Sequence, residues 1–170
     1  MKTAKRLLAF ALAGVMALAL LTGCSDSRSK AKQVEECFRS LMKTRQNVDY
    51  QKDETLDKKL EAIAQQFQPD WLDNRTGGLT EHARTIIINE LRGYLLTGSV
   101  WLWYGEVKPG QSALAQAESM KYSQGIEIYP LASSIPILKA IAFTMTDKKS
   151  DGHRYYLALE TKATVKTPQT

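Results

Sequence analysis

Histidine and cysteine are scarce in this 170-residue chain, at two of each. His82 and His153 stand far apart, no His-x-x-x-His spacing occurs, and Cys37 is near neither. A zinc site is therefore not expected, nor any metal centre built on such ligands. A phosphate-cradling glycine loop, Gly-x-Ser-x-Gly and His-Glu-x-x-His are all missing. Those absences remove familiar signatures of nucleotide binding, serine hydrolysis and metalloproteolysis. No cofactor and no catalytic residue are expected. Dense Lys/Arg blocks are missing too: beyond the N-terminus the longest basic runs are the pairs Lys58-Lys59 and Lys148-Lys149. Nucleic acid is thus not an expected partner. No internal repeat occurs.

What is present begins at residue 1. Lys2, Lys5 and Arg6 are followed by an apolar run from Leu7 to Leu21, interrupted by Gly14, and then by Leu21-Thr22-Gly23-Cys24. Charged, apolar and small segments in that order read as a secretory signal. The run is shorter than the roughly 20 residues that span a bilayer. The last four residues resemble the lipobox of bacterial lipoproteins. That resemblance implies a diacylglycerol on the Cys24 sulfur, cleavage before Cys24, and an address at the extracytoplasmic face of a bacterial cell membrane. Two acyl chains anchor stably, since each buried methylene contributes about 0.8 kcal/mol. Ser25, rather than aspartate, follows the cysteine.

Removal of residues 1–23 changes the charge. The whole chain has 23 basic and 18 acidic residues, a formal +5. The signal holds three of the basic residues and no acidic one, so the remainder has 20 against 18, or +2. With Cys24 lipidated, only Cys37 remains, and an internal disulfide is impossible. Cys37 falls on the stripe of Val34, Phe38 and Leu41, which predicts a buried, inert thiol.

Residues 24–29 read as a lipidated cysteine with a short tether, 30–166 as one domain, and 167–170 as a tail. Val34, Phe38, Leu41 and Met42 predict a helix over 30–45, with Glu35 and Arg39 paired at i,i+4. Residues 47–53 read as a turn. Leu56, Leu60, Ile63 and Phe67 predict a second helix over 54–67, capped by Asp53. Pro69 to Leu72 reads as a short helical turn, and residues 74–78 as a loop. Thr80 predicts a third helix reaching about Leu96 and stopped by Thr97-Gly98, with the Ile86-Ile87-Ile88 run leaving a strand as the alternative.

Strands are predicted over 99–107, 126–129, 137–146 and 154–166, the last two joined by an Asp151-Gly152 hairpin loop. Residues 112–124 fit either helix or strand. On the final strand Tyr155, Leu157, Leu159, Ala163 and Val165 share a face expected to be core. Arg154, Glu160, Lys162 and Lys166 share the other, expected to meet water.

Helices first and an antiparallel sheet second is an α+β plan, with N-terminal helices packed on a curved sheet. This order, over residues 30–166, resembles nuclear-transport-factor-2-like and cystatin-like domains. The resemblance implies a cone-shaped fold with a cavity, and some enzymes of that fold use an acid–base pair. His82 with Asp70 or Asp73 is the candidate pair here, against the plainer roles of capping and solvated surface.

Trp101-Leu102-Trp103-Tyr104 is the most unusual internal stretch. In a strand, Trp101 and Trp103 share one face, while Val100, Leu102 and Tyr104 share the other. Two apolar faces fit a central strand covered on both sides. They also fit an aromatic pocket or interface, so Trp101, Trp103 and Tyr104 are the ligand or interface candidates. Gly77-Gly78 suits a turn with positive φ, and Asn74-Arg75-Thr76 matches a glycosylation pattern that has little meaning in a bacterial lipoprotein.

The expected function is a lipid-anchored extracytoplasmic binding or scaffold domain without catalysis. Its expected partners are the membrane, through the lipid, and a protein or a second copy. The alternatives are a cavity module that binds, isomerises or dehydrates a small hydrophobic ligand, and a component of a cell-envelope or conjugal-transfer assembly. Cys24→Ala is expected to leave an unprocessed precursor, read from its size on a gel. Normal cleavage with membrane retention contradicts the lipobox.

Overall fold

The computed structural model describes residues 27–73, 78–123, 125–128 and 137–165. The signal, lipobox and Cys24, most of the 74–78 loop, and the tail lie outside them. Three layers are present: a five-stranded antiparallel sheet with helices on both faces. The α+β plan with helices packed on an antiparallel sheet is thus the observed one.

Helix α1, Ser27–Gln46, starts three residues earlier than its apolar stripe predicts. Val34, Phe38 and Met42 are buried and Leu41 is half-buried. Glu35 accepts from Arg39 Nε at 2.8 Å. Asn47 ends the helix at φ +49°, the left-handed geometry that asparagine tolerates after a helix C-terminus.

Helix α2, Glu54–Gln66, is capped by Asp53, whose carboxylate accepts from Leu56 N at 2.8 Å. Leu56, Leu60, Ile63 and Phe67 are all buried, as their spacing demands. Pro69–Trp71 forms a 3-10 turn that buries Trp71. Helix α3, Glu81–Leu91, is capped by Thr80.

The third helix is shorter than its apolar residues suggest. It ends at Leu91, and Gly93 turns the chain at φ +83° into strand β1, Leu95–Glu106. Leu95 to Gly98 are therefore strand residues rather than the end of a helix. Gly98 is not a helix stop. It has φ +132°, and a Cβ there would lie 2.3 Å from the Lys162 carbonyl oxygen of the neighbouring strand. The alternation of Val100 and Leu102 with Trp101 and Trp103 carried no mark of where the strand began.

The ambiguous segment is both structures in turn. Ser112 caps α4, Ala113–Ser119, by accepting from Ala115 N, and strand β2, Lys121–Tyr122, follows. Strand β3 is Ile126–Ile128, β4 is Ile137–Met145 and β5 is Tyr155–Val165. β1 pairs with β2 and β3 along one edge and with β5 along the other; β5 then pairs with β4. The segment between α1 and α2 closes on the β4 edge: Gln51 N donates to Lys139 O at 2.8 Å. A partly paired edge is less open to other chains.

Each face of the sheet has its own core. On one face, α2 and α3 pack on Val100, Leu102, Leu157, Leu159 and Ala163. On the other, α1 and α4 pack on Trp103, Ile141, Tyr156 and Ala158. The expectation that this second face of β5 meets water is corrected: Tyr156, Ala158 and Glu160 are buried there. Alternation in β5 located one core but could not show that α1 and α4 cover the reverse side. Cys37 is half-buried beside that second core, and burial, helped by Glu36, pushes its thiol pKa up. It is the free cysteine among the described residues.

Gly98→Ala is expected to lower stability by at least about 1–3 kcal/mol, the usual size of a strained backbone residue. Urea unfolding checks it. An unchanged midpoint would show that the close approach to Lys162 relaxes freely.

Candidate ligand recess at the end of the first helix

The stop at Asn47 has a consequence for the sheet. α1 covers the second face only as far as Gln46. Beyond it lies an open recess of about 390 Å³, lined by Arg45 and Gln46 from α1 and by Trp101, Trp103, Tyr122, Glu160 and Lys162 from the strands. Strand register gathers these side chains on one face. Trp101 stands opposite Glu160 across the β1–β5 pair, and Trp103 stands opposite Tyr122 across β1–β2.

Glu160 forms the floor. It is 3% exposed, and a carboxylate so buried requires partners. Trp103 Nε1 donates to Oε2 at 3.0 Å, and the Tyr50 hydroxyl donates to Oε1. Tyr50 is adjacent to Gln51, so the backbone bonds at the β4 edge also place that hydroxyl. Lys162 Nζ lies 3.8 Å from Oε1 and 5.4 Å from the centre of the Trp101 ring. Burial first, and then the hydrogen bond and charge of Glu160, push the Tyr50 pKa well above the usual phenol value. The phenol thus stays protonated and donates.

The three aromatic candidates separate. Trp101 is half-buried and Trp103 is buried, and both face the recess. Trp103 is also held edge-on by Phe38, with ring centres 5.3 Å apart. Tyr104 belongs to the opposite face, half-buried near Leu72 and Tyr155, where burial raises its pKa. Glu160, Lys162, Tyr50, Tyr122 and Arg45 were missed as site residues. The pair Glu160 and Lys162 reads as an ordinary polar strand face. Only the register of β1 against β5 brings two tryptophans to it.

The remaining candidates do not converge on an enclosed cavity. His82 and Asp70 are both exposed, and Asp73 is half-buried. His153 Nδ1 lies 3.0 Å from Glu106 Oε1 at the sheet end. No group of three or more metal-ligating side chains occurs among the described residues. Two larger recesses flank the base of the β4–β5 hairpin. In one, Lys149 Nζ donates to the Ala64 and Gln65 carbonyls at 2.7 and 3.2 Å. That cation closes the C-terminal end of α2, a structural role.

Comparison with protein-family models, with curated proteins and with solved structures gives no match.

Tyr50→Phe leaves one oxygen of Glu160 without its donor and is expected to cost about 1.5–3 kcal/mol, the range for a hydrogen bond to a charged group. The raised Tyr50 pKa means that the folded state prefers the protonated phenol. Its contribution is complete below the unfolded value of about 10 and is lost as pH rises beyond it. Unfolding followed from pH 8 to 11 is expected to show that loss in the native chain and a shallower fall in Tyr50→Phe. Equal slopes contradict it.

Proposed function

We propose that the protein is a lipid-anchored binding and scaffold domain at the extracytoplasmic face of a bacterial membrane. It uses the recess and aromatic surface of β1 and β2, and performs no catalysis. The observation that carries the reading is the Leu21-Thr22-Gly23-Cys24 motif behind a charged and apolar start. The fold is compatible with a close anchor. α1 begins at Ser27, three positions after Cys24, and three residues reach at most about 10 Å. α1 has 20 residues and is therefore about 30 Å long. The recess lies at the Arg45–Gln46 end of α1, away from the Ser27 end that follows Cys24 in the sequence.

A surface for binding is the second support. Tyr122 is 61% exposed, and its ring lies 4.9 Å from that of buried Trp103. Large aromatic side chains with polar tips are the residues that binding surfaces use most. No described helix is long and apolar enough to cross a membrane.

Native mass spectrometry of the lipidated full chain, released gently from membranes in detergent, tests the reading. Two results are expected together: an N-terminal mass that carries acyl chains on Cys24, and a bound ligand, partner or second copy that Trp101→Ala removes. An N-terminus without lipid sinks the anchor. A bare monomer under the gentlest release sinks the binding role.

A further inference from the structure

We propose that the recess above Glu160 binds a ligand that joins one flat ring to one acidic group. The inference rests on the reading of this surface as a binding site and names the chemistry it accepts. It follows from two independent features, the fixed walls and the sign of the free charge.

The walls are set before a ligand arrives. Gly125 abuts Trp101 so closely that a Cβ there would lie 3.1 Å from the indole Nε1. Trp103 is fixed by its bond to Glu160 at 3.0 Å. Trp101 is half-buried, and Tyr122, 61% exposed, is backed by the buried Trp103 ring. Rings held in this way lose little freedom on binding, the condition under which stacking yields affinity. The volume, about 390 Å³, falls in the range of small-ligand sites.

The charge points to an acid. Glu160 accepts from two neutral donors, Tyr50 and Trp103, and is too buried to meet a ligand's cation directly. Lys162 is only partly neutralised by it at 3.8 Å, and Arg45 is exposed at the rim. Two cations thus face the mouth while the carboxylate lies beneath. An acidic group placed between them gains charge-assisted hydrogen bonds. A ring bearing an ammonium would meet repulsion there, and Lys162 already occupies the Trp101 face that a cation would seek. Free aromatic acids carry this chemistry, and so does the C-terminal aromatic residue of a peptide.

Calorimetric titration of the full chain in detergent decides the matter. The probes are indole-3-acetate and 2-naphthoate as free acids, and N-acetyl-Gly-Gly-Phe as a chain end. Tryptamine supplies the ring with opposite charge, and propionate supplies the acid without a ring. The ring-bearing acids are expected to bind at least about tenfold more tightly than either control. Lys162→Met keeps the stem over Trp101 and is expected to weaken them about tenfold at an unchanged melting midpoint, while Lys162→Arg restores binding. Binding by the peptide alone assigns the site to a polypeptide end; binding by the free acids assigns it to small molecules. Equal binding of tryptamine or propionate overturns the proposal, as does silence from every ring-bearing acid. Acylation of Cys24, and any partner seen by native mass spectrometry, would be untouched by that failure.

Discussion

A buried carboxylate is the constraint around which the second face of the sheet is arranged. Glu160 sits near the middle of β5, almost without contact with water. Its desolvation opposes folding by several kcal/mol unless hydrogen bonds to the charged form offset it. The donors come from two different places: Trp103 on the neighbouring strand and Tyr50 on the connection between α1 and α2. One group thus ties the centre of the sheet to the segment that closes its outer edge. An apolar residue at this position would remove the desolvation cost, yet it would leave the indole N–H and the phenol without an acceptor. What the carboxylate contributes is placement: it sets the ring plane of Trp103 and the course of the chain around Tyr50.

The two cores explain why β1 and β5 carry apolar residues on both faces. β1 lies between β5 and the short β2 and β3, so it has a partner strand on each side. α2 and α3 cover one side, and α1 and α4 the other. An antiparallel sheet with one wet face alternates apolar and polar residues; Val100, Trp101, Leu102 and Trp103 do not. The recess arises where this double cover stops. α1 ends because Asn47 adopts a left-handed conformation, and the strands continue beneath the opening. The terminus of one helix therefore determines which aromatic surface is left for a ligand.

Much of the local structure was legible. The stripes of α1 and α2, the caps at Asp53 and Thr80 and the hairpin around Asp151-Gly152 follow from short-range rules, because each depends on residues three or four positions apart. The errors have the same origin. Leu95 and Leu96 continue the apolar arc of α3, so nothing local marks the change to strand except Gly93, whose positive φ only the turn reveals. Ser112 to Tyr122 fitted two structures because it contains both.

The sequence by itself determined the absence of familiar catalytic and metal motifs, the apolar stripes of α1 and α2, and the division of Trp101 and Trp103 from Tyr104, and it carries the expectation of a lipoprotein signal in residues 1–24. All of these are properties of neighbours along the chain. The tertiary structure decided that Glu160 is buried, that Tyr50 reaches it from 110 positions away, and that Lys162 and Arg45 share a recess with two tryptophans. Those relations depend on strand register and on where α1 ends over the sheet, and a one-residue slip would turn each of these strand side chains to the other face.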